Sequence, residues 1–192
     1  AAKLAYGQAQ AAIDGAADEK TAPVLEPVLK PLWDAYAVLK RGREAREPLE
    51  LDLPERKIVL KPDGTVDRVF VPDRLDAHRL IEEFMIAANE AVARFLTERG
   101  ENFLYRSHPD PDGEKLLGLF RTLQRTDMAE HVPMDPTPEA LQHVLRVAAG
   151  TDQEFIVNRL ALRTMMQAVY TPEHEGHFGL ASDCYCHFTS PI

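Results

Sequence analysis

Along the chain, apolar residues recur with a helical period in some stretches and change to a strand-like pattern in one. Lys3 to Asp14 is Ala-rich and is stopped by Gly15, which predicts a short helix. After a proline-punctuated stretch, Leu29, Leu32, Trp33, Tyr36 and Leu39 fall on one face of a helix predicted to run to about Ala45. Between Leu49 and Pro72 the period changes. Lys57 to Leu60 and Val66 to Val71 flank the turn signal Lys61-Pro62-Asp63-Gly64-Thr65, which predicts a β-hairpin, and Leu49 to Leu53 reads as a short strand before it.

Helical spacing returns from Asp76 to Arg99, where Leu80, Phe84, Ala87, Ala88, Ala91 and Phe95 share a face and Gly100 ends the run. At ~1.5 Å per residue this helix spans about 36 Å, enough to act as the spine of the fold. Three more helices are predicted: Gly113 to Gln124, one from Pro138 after the cap Thr137, and one from Asp152 after the box Thr151-x-x-Glu154, ending near Tyr170. From Gly176 onward, Gly, His and aromatic residues are too dense for either period, so the backbone there should approach something closely. The sequence stops inside this stretch, and it reads as cut there.

Composition narrows the class. With 192 residues, 45% hydrophobic and 28% charged, the chain has the make-up of one folded domain with a sizeable core. No apolar run reaches the roughly 20 residues a membrane span needs, and no signal-peptide pattern opens the chain. Cys184 and Cys186 are the only cysteines, and a C-x-C bridge closes a strained loop, so reduced thiols in the cytoplasm are expected. A formal charge of -9 argues against a DNA-coating or polybasic membrane role, while leaving room for a locally positive RNA groove.

Several residue groups carry candidate chemistry. On the long helix Glu82 and Asn89 are seven residues apart and share a face, with Glu83 about 100° away. Taken alone, the Glu pair reads as an exposed polar edge, and Asn89 among Ala87, Ala88 and Ala91 as a place of close approach. The basic run Lys40 to Arg46 reads as a solvated helix end that complements the macrodipole. Tyr105-Arg106-Ser107-His108 either stacks a base and holds a phosphate or is a surface loop anchored by Tyr105. His174, His177, Cys184, Cys186 and His187 invite a zinc reading, but neither C-x-C nor these histidines has the usual ligand spacing, so no metal site is expected. No phosphate-cradling loop, nucleophile elbow or dinucleotide fingerprint is present.

Three separated motifs then coincide. Ala77-His78-Arg79-Leu80-Ile81-Glu82-Glu83-Phe84-Met85-Ile86-Ala87-Ala88-Asn89, Leu104-Tyr105-Arg106-Ser107-His108, and Gly176-His177-Phe178-Gly179-Leu180 with His187-Phe188-Thr189-Ser190-Pro191-Ile192 resemble the ribonuclease R and ribonuclease II family, in its catalytic RNB domain. The resemblance runs from about Lys3 to Ile192. It implies an α+β fold: a mostly helical part of an RNB domain with a small antiparallel hairpin, residues 1–192 being an interior portion. It also implies a processive 3′-to-5′ exoribonuclease acting on single-stranded RNA, not DNA, and releasing nucleoside 5′-monophosphates, as a cytoplasmic monomer.

In that family, aspartates hold magnesium. By the resemblance they precede Ala1, and an assisting arginine follows Ile192, so no catalytic residue is assigned within the chain. The expected RNA contacts are Glu82, Asn89, Tyr105, Arg106, His177, His187 and Ser190, with Glu82 accepting hydrogen bonds from ribose hydroxyls. The family's base-stacking aromatic has no counterpart in Leu49-Glu50-Leu51-Asp52-Leu53, and Cys184 and Cys186 replace small or apolar residues. A truncated, non-catalytic RNA- or protein-binding module is the rival expectation, and a small zinc module a third.

Overall fold

The computed structural model describes residues 2–49, 51 and 56–190. The architecture is α+β, mostly helical, with two separate two-stranded antiparallel sheets among the described residues. Its contacts divide it into two compact units: Ala1–Arg46, Glu55–Val92 and His187–Ile192 in the first, Glu47–Pro54 and Ala93–Cys186 in the second.

In the first unit, α1 (Tyr6–Ile13) is followed by α2 (Ala22–Val24), a π-helical turn over Leu25–Leu29, and α3 (Lys30–Glu44). Pro23, Pro27 and Pro31 all fall in or before the first turn of α3, where proline's missing N–H does least harm. The predicted stripe on α3 is only half realised: Leu29 and Tyr36 are buried, whereas Leu32 is exposed. Then β1 (Lys57–Leu60) pairs with β2 (Val66–Phe70) in the expected hairpin, whose turn places Gly64 at φ 83 and whose register shifts after Val59. The Leu49–Leu53 strand falls partly on Glu50, Asp52 and Leu53, outside the described residues.

The spine helix is α4 (Asp76–Glu98), and the division between units falls within it, after Val92. Its first turn is seated by α1. Gln10 Oε1 accepts the Ala77 N–H at 3.0 Å, and the Tyr6 and His78 rings lie 4.3 Å apart. The buried face of α4 departs from the sequence expectation: Phe95 and Ala91 are exposed, while Glu83, Asn89 and Glu90 are buried beside Ala77, Leu80, Ile86 and Ala93. The reason lies on α3. Arg43 in its last turn and Arg46 just beyond its end reach Glu83 Oε1 at 2.6 Å and Glu90 Oε2 at 3.4 Å, carboxylates seven residues apart on α4. Two cations of this basic run are therefore partners for buried carboxylates, while Lys40, Arg41 and Arg46 stay exposed as a solvated end would.

In the second unit, β3 (Tyr105–Ser107) is followed by α5 (Gly113–Leu123), capped by Asp112 Oδ1 on Lys115 N, and by α6 (Pro138–Ala148), capped by Thr137. Next comes α7 (Glu154–Leu162). The capping box expected there does not form: the Thr151 hydroxyl donates to Ala148 O, and Glu154 accepts from Gly150 N. Nor does α7 reach Tyr170. It stops at Leu162, and β4 (Val169–Thr171) pairs with β3, Arg106 facing Tyr170 in the register. Leu116, Leu119, Phe120, Leu141, Val144, Val157 and Ala161 are central to a contiguous apolar core, against which Leu49 and Leu51 also pack.

Candidate nucleic-acid interface

Within the first unit, Glu82 and the terminal His187–Ser190 stretch are placed with reference to one helix. Glu82 is partly exposed and ion-paired with Arg74, itself largely exposed. Two turns further along α4, Asn89 is 0% exposed. Its Oδ1 accepts the Thr189 backbone N–H at 2.6 Å, and its Nδ2 donates to Thr189 O at 3.1 Å. The Thr189 hydroxyl lies 3.0 Å from Asn89 Oδ1 and 3.3 Å from Met85 O. Thus Asn89, expected as an RNA contact, faces inward and grips the chain's own backbone. His187 and Ser190, on either side of the gripped residue, are exposed.

In the second unit, Tyr105 proves to be the anchor of its loop. It is 9% exposed, its hydroxyl is 2.8 Å from Thr97 Oγ1, and its ring stacks on His174 at 4.9 Å and packs against Phe103 at 4.3 Å. Of the two roles its sequence context leaves open, burial favours the structural one over base stacking. Arg106 has the opposite character. Its NH1 group donates to Ala168 O at 3.1 Å and its guanidinium lies over the Tyr170 ring, 4.7 Å from the centroid, with Tyr170 exposed. A held cation over an exposed aromatic can meet a phosphate and a base together. Helical periodicity carries through to Tyr170, so the sequence does not mark it as a site residue, and β3–β4 pairing places it opposite Arg106.

The Gly-rich stretch folds back over β3. Arg106 N–H donates to Tyr185 O at 2.9 Å, His108 N–H to Gly176 O at 3.1 Å, and Phe178 N–H to His108 O at 2.8 Å. His177 caps a 3-10 turn at Phe178–Leu180, its Nδ1 accepting from Leu180 N at 3.2 Å. Gly179 donates its N–H to His108 Nδ1 at 3.1 Å, and an added Cβ there would lie 2.9 Å from that same nitrogen. Since Nδ1 accepts, the proton sits on Nε2, which donates to Met166 O at 3.0 Å. Burial, with the Arg106 charge adding to it, holds His108 below its ordinary imidazole value, the bond to Met166 opposing. His108 is therefore a neutral, two-sided tie.

His174 Nε2 lies 2.7 Å from Asp183 O, and Cys184 and Cys186 are buried and not joined in a disulfide, with Cys184 Sγ 3.5 Å from Thr97 Oγ1. Among the described residues no group of three or more His, Cys, Asp or Glu side chains is disposed to hold a metal ion. The magnesium implied by the resemblance finds no ligand set among the described residues.

The fold is a mixture of helices and short antiparallel sheets, with polar and aromatic loops beside α4 in one unit and beside β3–β4 in the other. Comparison is specific: the RNB domain family model matches residues 1–192, and the chain belongs to that family. It is 39% identical over 192 residues to ribonuclease R of Aquifex aeolicus, covering 100% of this chain and 27% of that protein. It also superposes on the apo form of Mycoplasma genitalium RNase R with a TM-score of 0.86 at 26% identity, over 97% of this chain and 29% of the other. The same RNase R in complex with ribose-methylated single-stranded RNA gives 0.82 at 25% identity, again over 97% and 29%. The chain thus spans about a quarter of the length of the curated relatives it matches.

Proposed function

We propose that this chain is a part of the catalytic domain of a 3′-to-5′ exoribonuclease that degrades single-stranded RNA processively to nucleoside 5′-monophosphates. The carrying observation is the match to ribonuclease R across the entire chain, which includes every motif considered above. Magnesium, held by carboxylates outside the described residues, belongs to this reading, as do a cytoplasmic setting, a monomeric state and indifference to DNA. Among the described residues, no helix is long and apolar enough to cross a membrane.

Within this reading, Glu82 faces the sugar. A carboxylate steadied by Arg74 accepts a hydrogen bond from a ribose 2′-hydroxyl, the group DNA lacks. Arg106 with Tyr170 supplies a second contact of cation and ring, while His187 and Ser190 offer exposed polar groups. His177 shapes the loop after β4 through its cap.

The deciding experiment presents the intact protein with a 5′-labelled single-stranded RNA and a DNA of the same sequence, with magnesium and with chelator. Expected is progressive shortening of the RNA from its 3′ end, mononucleotide product, abolition by chelator and an untouched DNA. Internal cuts, or RNA bound but left whole, would overturn the proposal, the latter in favour of a non-catalytic RNA-binding module.

A further inference from the structure

We infer that Asn89 is a positioning residue for RNA cleavage, acting through the backbone of Thr189 and not by touching the substrate. This rests on the exoribonuclease reading above. A side-chain amide carries the same donor and acceptor as a peptide group. Here it answers both backbone groups of one residue, Oδ1 taking the N–H at 2.6 Å and Nδ2 giving to the carbonyl at 3.1 Å. That reciprocal pairing is what an adjacent antiparallel strand provides. His187–Ser190 lies outside the named strands, so the helix supplies through Asn89 what a sheet would otherwise supply.

The chemistry leaves little freedom at this position. Asp keeps the acceptor and loses the donor, Ala loses both, and Gln carries the amide one methylene further out. Burial raises the stakes, because an amide removed from water needs its partners. The hydroxyl of Thr189, shared between Asn89 Oδ1 and Met85 O, adds a second tie to the same stretch of α4.

The consequence is geometric. Residues bonded into a 23-residue helix inherit its rigidity, and Glu82 stands on that helix two turns before Asn89. Gripping Thr189 therefore sets the exposed His187 and Ser190 at a fixed register from Glu82, all within one compact unit. A nuclease needs that kind of constancy at the 3′ end of its substrate, where a displacement of about 1 Å can cost on the order of 10²-fold in rate.

The test uses the intact protein with Asn89→Ala, Asn89→Asp and Thr189→Val, read by hydrogen exchange at the Thr189 amide, by kcat and KM on single-stranded RNA, and by melting temperature. Asn89→Ala should speed exchange at Thr189 by about tenfold or more and lower kcat on the order of 10²-fold, with KM within about threefold of wild type. Asn89→Asp, keeping the acceptor, should fall between it and wild type, and Thr189→Val should retain the amide protection. If Asn89→Ala does not fold, Asn89→Asp decides: slower turnover than its folded fraction explains is expected. Turnover within about twofold of wild type once corrected for folded fraction, or unchanged exchange at Thr189, overturns the inference. A wild-type protein that leaves RNA whole sinks the exoribonuclease reading instead, and the exchange rate then judges the clamp by itself.

Discussion

At the scale of single residues, the adjacent carboxylates Glu82 and Glu83 separate sharply. Glu83 is buried against Arg43, and its removal strips a mostly buried cation of this partner. Glu83→Ala should therefore destabilise by on the order of 2 kcal/mol, measured by chemical denaturation. Glu82→Ala should leave stability within about 0.5 kcal/mol of wild type and lower turnover on RNA, since its neighbour Arg74 is largely solvated. Equal turnover in wild type and Glu82→Ala would remove the carboxylate from the ribose contact. Gly179 is decided by space. Its Cβ would meet the His108 ring at 2.9 Å, so Gly179→Ala should cost about 1–3 kcal/mol in the melting profile.

At the scale of elements, the β3–β4 pair and the loop folded over it depend on a neutral imidazole. Gly179 N–H points at His108 Nδ1, so a proton there would set two donors face to face. Because the folded protein holds the His108 pKa below the ordinary 6.5, the unfolded chain takes up the proton first as pH falls. The contribution of His108 is thus fully present above about 6.5 and is lost as pH drops from there toward the lowered folded value. Exchange at the Gly179 amide, taken relative to its intrinsic rate, should rise over that interval, and His108→Gln, which cannot titrate, should flatten the dependence. A rate that tracks only the intrinsic pH effect would show that His108 is not the tie.

At the scale of the whole molecule, the two units are built on different chemistry. The second holds a contiguous apolar cluster in which Leu141 and Val144 are fully buried, whereas the face of α4 in the first carries carboxylates answered by arginines. Leu141→Ala should accordingly cost about 2–5 kcal/mol. Slowest amide exchange is expected in α5–α7, where apolar packing is densest. High salt should loosen the Arg46–Glu90 tie, the longer and more exposed of the two, more than Arg43–Glu83.

The sequence by itself determined what depends on neighbours in the chain. Gly64, Gly100, the caps Asp112 and Thr137, and the hairpin turn all act within a few residues, and α4, α5, α6 and β1–β2 stand near where periodicity puts them. The family was legible too, since its motifs are runs of residue types. What only the tertiary structure decided is the partner of each polar side chain. Helical spacing marks the Glu82–Glu83 pair as a solvated edge and Asn89 as a place of close approach, without naming what arrives; Glu83, Asn89 and Glu90 become a buried face because Arg43 and Arg46 and the Thr189 backbone come from about 40 to 100 residues away in sequence. The same is true of Val169–Thr171, which a local pattern extends as helix and a distant strand, Tyr105–Ser107, captures instead. A hydrogen-bonding group is satisfied by whatever the fold brings to it, and that partner is written in no local period.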